Sequence, residues 1–149
     1  MQLQSESNPA LNTVTAYGDD FIEINAVTYR HAVYFGPEGE IHSLPVTSAS
    51  QFTAALLRQV AGLPDAAAAD PMAFLDDAPP ALPADAPQIV LIGTGARQIF
   101  LPATLVQPLN RLGIGVETMD TQAAARTYNI LMNEGRRVVA ALLPLEYAA

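Results

Sequence analysis

Apolar residues recur at positions 124, 128, 131 and 132, the spacing of one helical face, and predict a helix over 121–133. Asp120 or Thr121 can accept the free N–H groups of its first turn, and a carboxylate there also suits the helix dipole. Gly135 stands just past the last periodic residue, where a left-handed residue commonly closes a helix. At about 100° per residue, Ala124, Ala125, Tyr128, Leu131 and Met132 share one side, and Arg126, Asn129 and Asn133 point elsewhere. Ile130 falls almost opposite Tyr128, outside the main buried face.

Continuous apolar runs at 89–92 and 138–143 read as strands covered on both faces, and 116–119 reads as another buried strand between them. Ile99–Leu101 adds a few extended residues. Pro102 opens a helix running to about Leu112, which Pro108 is expected to kink or stop. Strand and helix alternate from 88 to 145, so this part is expected to be a β/α unit with parallel strands and right-handed crossovers.

The first half is patterned differently. Short segments rich in β-formers (13–17, 21–24, 27–30 with 32–35, and 41–44) are separated by turn residues and predict an antiparallel β-meander over 13–46. Thr47 or Ser48 can cap a helix over 47–61 whose apolar face is Phe52, Leu56, Leu57 and Val60. Residues 1–12 read as a loose terminus, 65–87 as a Pro-, Ala- and Asp-rich loop with one short helical turn at Met72–Leu75, and 146–149 as a tail. One domain, 13–145, is expected.

Composition narrows the function classes. Half of the 149 residues are apolar, as in a globular chain with a proper core. There is no cysteine, hence no disulfide, thiolate metal site or cysteine nucleophile. The net charge is −8: residues 1–85 hold eleven acids and two arginines, and residues 86–149 hold four acids and five arginines. Without a basic stripe, nucleic acid and anionic membranes are not expected partners. No apolar run approaches the roughly 20 residues that span a bilayer, so membrane insertion is not expected. The N-terminus lacks the basic start and apolar middle of a secretion signal, and a cytoplasmic protein is expected.

Three motifs carry a family resemblance: LIGTG at 91–95, GIGVETMDT at 113–121, and A-x-x-T-Y-N-x-L-x-x-E-G-R at 124–136 followed by an apolar strand. With Tyr17-Gly18 and the hairpin FIEINAVTYRHAVYF, they resemble the MTH938-like family of small α/β domains. That family includes a mitochondrial respiratory complex I assembly factor and an adipogenesis-associated protein. The resemblance covers roughly 13–145. It implies an α/β, three-layer fold: a central mixed β-sheet flanked by helices, with an additional N-terminal antiparallel β-hairpin layer. It also implies an assembly-type role through a protein partner.

Two places are candidate sites. Gly93, Thr94 and Gly95 follow a buried strand, and Asp120 and Thr121 lie where another strand becomes a helix. Ligands of open α/β sheets favour the crevice beyond such strand ends, so these five residues are candidates for binding a small molecule or anion. No G-x-G-x-x-G or P-loop pattern accompanies them. The second place is the helix side carrying Arg126, Ile130, Asn133, Glu134 and Arg136, a candidate protein-docking face. Glu134 and Arg136 read as a surface ion pair or a buried strut. His31 and His42 have no metal-ligand spacing, and Ser43 and Ser50 lack a nucleophile elbow. No catalytic residue, metal or cofactor is expected, and an interaction domain is favoured over an enzyme.

Overall fold

The computed structural model describes residues 11–63 and 86–145. Three short strands, β1 (Val14–Tyr17), β2 (Ile22–Ile24) and β3 (Val27–Tyr29), form an antiparallel sheet of their own. The β2–β3 turn is Asn25-Ala26, both at positive φ (53° and 65°). This is the conformation a two-residue hairpin of matching twist requires, though asparagine with alanine is an unusual pair for it. Asn25 Oδ1 accepts from the Thr13 N–H at 3.0 Å and holds the turn against β1.

The expected single meander divides here. β4 (Val33–Phe35) and β5 (His42–Ser43) leave the first sheet and join a second. Val33 and Phe35 bury their side chains against the C-terminal half, which gives β4 a better partner than β3 would be.

A 3₁₀ turn at Ala49–Gln51 precedes α1 (Ala54–Val60), whose cap is Thr53, with Oγ1 accepting from the Leu56 N–H at 3.1 Å. The helix expected from 47 is therefore interrupted at Phe52, where ψ is 137°. The extended residue turns the Phe52 ring into the core together with Leu56, Leu57 and Val60. The 65–87 loop, with its Met72–Leu75 turn, lies outside the described residues except for Ala86 and Pro87, and the 146–149 tail lies outside them too.

The C-terminal half supplies β6 (Ile89–Gly93), α2 (Ala103–Arg111), β7 (Gly115–Met119), α3 (Thr121–Asn133) and β8 (Val138–Leu142). The second sheet has the order β5-β4-β8-β6-β7, parallel from β8 to β7 and antiparallel at β4 and β5. β7 is thus an edge strand and only half-buried, not the buried strand expected at 116–119. Ile99–Leu101 forms no strand. α2 neither stops nor breaks at Pro108. The hydrogen bond that proline removes would have gone to the carbonyl of exposed Thr104, where water can replace it.

Alternation along the strands divides the core in two. Val90, Ile92, Ala141 and Leu143 face α1 and α2; Leu91, Ala140 and Leu142 face α3. The same α3 side carries Val14, Tyr17, Ile22 and Ile24 of the first sheet. The result is the expected three-layer arrangement, with α3 between the two sheets' apolar residues. α3 begins at Asp120, whose Oδ1 accepts from the Ala123 N–H at 2.9 Å. It ends in a Schellman motif: the Gly135 N–H bonds the Met132 carbonyl, and the Arg136 N–H bonds the Leu131 carbonyl. Gly135 takes the left-handed conformation (φ 79°) that this closure needs.

Candidate functional site

The two turns singled out by sequence meet at the carboxyl ends of β6, β7 and β8. Gly93 allows the approach: a Cβ there would lie 2.9 Å from Thr121 Oγ1 and 3.0 Å from Thr121 Cα. The Thr121 N–H donates to the Gly95 carbonyl at 2.8 Å, and the Gly95 N–H donates back to Thr121 Oγ1 at 2.9 Å. Thr121 Oγ1 in turn donates to the Leu143 carbonyl at 2.5 Å. One hydroxyl therefore ties the β6 turn, the start of α3 and the end of β8 together.

Thr94 works the same way on the other side of the turn. Its N–H bonds the Met119 carbonyl at 2.8 Å, and its hydroxyl bridges the Arg97 carbonyl and the Ile99 N–H. Gly93, Thr94, Gly95 and Thr121 are all buried, and Asp120 is half-buried. Three of the N–H groups at this helix start are already used by the protein: those of Thr121, Ala123 and Ala124 by Gly95, Asp120 Oδ1 and the Asp120 carbonyl respectively. The chemistry of the assembled turn is that of a fastening.

On the helix, Arg126, Ile130, Asn133 and Glu134 lie at spacings of four, seven and eight residues and form one exposed stripe. Ile130 is 58% exposed. Arg136, past the helix end, is exposed as well. Glu134 and Arg136 form neither a surface ion pair nor a buried strut: both are exposed, and no ion pair joins them. Arg126 is not wholly free, since its Nη1 donates to the Tyr17 hydroxyl at 3.1 Å.

Asn129 does not point outward with Arg126 and Asn133, as the helical wheel implies. It is buried, and its carboxamide accepts from the Val14 N–H at 3.0 Å and donates to the Val14 carbonyl at 2.9 Å. A side-chain amide thus occupies the place of a neighbouring strand along β1. Beside it, the Tyr128 hydroxyl donates to the Asn12 carbonyl at 2.8 Å, and burial pushes the Tyr128 phenol well above its ordinary pKa. Asn12, grouped by sequence with a loose terminus, is itself a junction. Its Nδ2 donates to the carbonyls of Gly36 and Gly39, and its Oδ1 accepts from Asn25 Nδ2. Asn129 lies in the T-Y-N part of the motif at 124–136, whose role the motif itself does not reveal, and Asn12 lies in no motif.

Two further surface features escaped the pattern. Ile99 and Phe100, adjacent in the turn between β6 and α2, are 46% and 79% exposed. At the opposite end of the sheet, the amino ends of β6 and β8 open onto a groove of about 710 Å³ bordered by Glu38, Glu40, His42, Arg136 and Arg137.

Comparison with known proteins gives this architecture relatives. Residues 14–143 match the family described as "Protein of unknown function (DUF498/DUF598)", and the chain belongs to that family. A Bordetella pertussis protein solved by NMR and described as an Mth938-like domain is 54% identical. It covers 99% of this chain and 95% of its own, with a TM-score of 0.77. An uncharacterized protein of Rhodobacter capsulatus is 51% identical over 57 residues, 38% of this chain and 46% of that protein. Human NADH dehydrogenase (ubiquinone) 1 alpha subcomplex assembly factor 3 is 44% identical over 57 residues, 38% of this chain and 31% of that protein. The matched stretch spans less than half the length of these curated relatives. The family resemblance read from the C-terminal motifs is confirmed.

Proposed function

We propose, taking membership of this family as the premise, that the chain is a non-catalytic protein-interaction domain of the assembly-factor kind, acting in the cytoplasm and linked to assembly of a respiratory complex. The observation that carries this reading is the placement of large apolar side chains. Ile99, Phe100 and Ile130 are held in water, while the strand-end crevice, where a small-molecule enzyme of this architecture would work, is occupied by the protein's own hydrogen bonds. The assembly-factor name of the human relative supports the same reading from outside the structure. Among the described residues no helix is long and apolar enough to cross a membrane. The stripe Arg126, Ile130, Asn133, Glu134, with Arg136 beyond it, is the proposed docking face on α3; Ile99–Phe100 is a second apolar contact.

The test is affinity purification of the tagged full chain from its native cell, beside Ile130→Glu and Phe100→Glu variants whose folding is checked by circular dichroism. The wild-type chain is expected to retain a small set of proteins with respiratory-complex subunits among them, and at least one variant to lose them. Retention of every partner by both variants would remove these surfaces from the proposal. Turnover of a small molecule that depends on Thr94 or Asp120 would replace it with the reading of those turns as a ligand site.

A further inference from the structure

The groove at the amino ends of β6 and β8 shares only Arg136 with that reading. It opens where the β4–β8 pairing ends at Phe35–Ala140, leaving Val138 and Val139 beyond the last paired residue of β4. Its lining includes the apolar surfaces of Tyr34, Val60, Met132 and Val139. Its volume, about 710 Å³, is that of a small-molecule site.

The rims are charged with opposite sign. Glu38 and Glu40 stand in the turn between β4 and β5, and Arg136 and Arg137 in the turn between α3 and β8. No ion pair joins the two rims, and among the described residues Glu38, Glu40 and Arg136 have no hydrogen-bonding partner for their charged ends. Arg137 is the exception: its Nε donates to the Ala86 carbonyl at 2.9 Å. That bond fixes the guanidinium while leaving its two terminal nitrogens to donate, the group best suited to a carboxylate. A simple anion would meet two carboxylates on entering, and a simple cation two guanidiniums. An uncharged apolar molecule would use only the lining.

We infer that this groove binds a small zwitterion with an apolar body, of the class of short apolar peptides, its carboxylate toward Arg136 and Arg137 and its ammonium toward Glu38 and Glu40.

The experiment is a ¹H–¹⁵N NMR titration of the full chain with the dipeptide Leu-Phe, its N-acetyl derivative and its C-terminal amide. Leu-Phe is expected to shift amides of residues 34–40 and 136–139. Blocking either terminus is expected to weaken binding roughly tenfold, as loss of a charged hydrogen bond does. Arg136→Gln is expected to narrow the difference between acid and amide, with Arg137 keeping the remainder. The double change Glu38→Gln and Glu40→Gln is expected to abolish the difference between free and acetylated peptide. Glu38, Glu40 and Arg136 are exposed and have no side-chain partner among the described residues, so the variants keep their spectra outside the groove. Equal affinity for the three peptides, or no shift in these segments at millimolar peptide, would overturn the inference. Neither result touches the docking reading of α3, whose residues lie outside the titrated segments except for Arg136.

Discussion

Replacing Asn129 by alanine tests how the two sheets are held together. The carboxamide makes two hydrogen bonds to the backbone of Val14, a residue with no exposed surface. Truncation removes both and leaves a buried N–H and a buried carbonyl without their partner. Each such group costs about 1–3 kcal/mol, so Asn129→Ala is expected to destabilise by roughly 2–4 kcal/mol after partial relaxation and water entry. That is a large share of the ~5–15 kcal/mol that holds a domain together. Urea unfolding followed by circular dichroism measures it directly, and melting should fall by about 2–4 °C per kcal/mol for a chain of this length. Asn129→Asp separates the two bonds, since a carboxylate still accepts from the Val14 N–H but opposes the carbonyl. It should be the worse variant at neutral pH and recover in part when acid protonates it. Asn133→Ala, one turn on and exposed, is the control and should change stability by less than about 0.5 kcal/mol. If Asn129→Ala proved as mild as the control, the strand-like bridge would not be what couples β1 to α3.

Three other outcomes follow from single contacts. Ala26→Gly should stabilise by roughly 1 kcal/mol in the same unfolding assay, because alanine is held at φ 65°, a conformation that glycine adopts without a Cβ clash. Gly93→Ala should destabilise by roughly 1–3 kcal/mol: the new methyl would sit 3.0 Å from Thr121 Cα, and Thr121 is tied at three points and cannot retreat. Stability should also decline as pH rises past 10.0, the ordinary tyrosine value, because the folded chain keeps the Tyr128 proton that the unfolded chain releases. The stabilisation is whole below that pH and is lost as pH climbs toward the raised folded value. Tyr128→Phe should flatten this decline while lowering neutral-pH stability by the bond to Asn12, measured by unfolding between pH 7 and 11.

Legibility in the sequence followed the range of the interactions. α3 was readable because its period, acidic cap and glycine stop are all local. The meeting of Gly93–Gly95 with Asp120–Thr121 was readable because parallel strands bring their carboxyl ends to one edge. Asn129 was misread because a helical wheel sorts residues by polarity, and a buried amide that replaces a strand looks like a solvated one. The edge position of β7 was hidden because strand order is decided by which runs pair, and Glu117 and Thr118 within Val116–Met119 are the only local sign of it. The groove left no motif, since its rims come from segments nearly 100 residues apart, each an ordinary turn on its own.

The first sheet explains why α3 carries so much. Three strands of three or four residues cannot bury a core of their own. Val14, Tyr17, Ile22 and Ile24 find theirs against Ala124, Ala125, Tyr128 and Met132. Apolar contact alone would leave that packing free to slide, because small side chains such as Ala124 and Ala125 specify register weakly. The polar bonds from Arg126, Tyr128 and Asn129 to Tyr17, Asn12 and Val14 supply the register. α3 therefore has one side committed to the central sheet and an adjacent side committed to β1. What remains for a partner is the narrow stripe around Ile130, flanked by Arg126 on one side and Glu134 on the other. A partner using it needs only a short apolar ridge with charges of matching sign, and it would bind a helix already immobilised from two directions, with little ordering entropy left to lose.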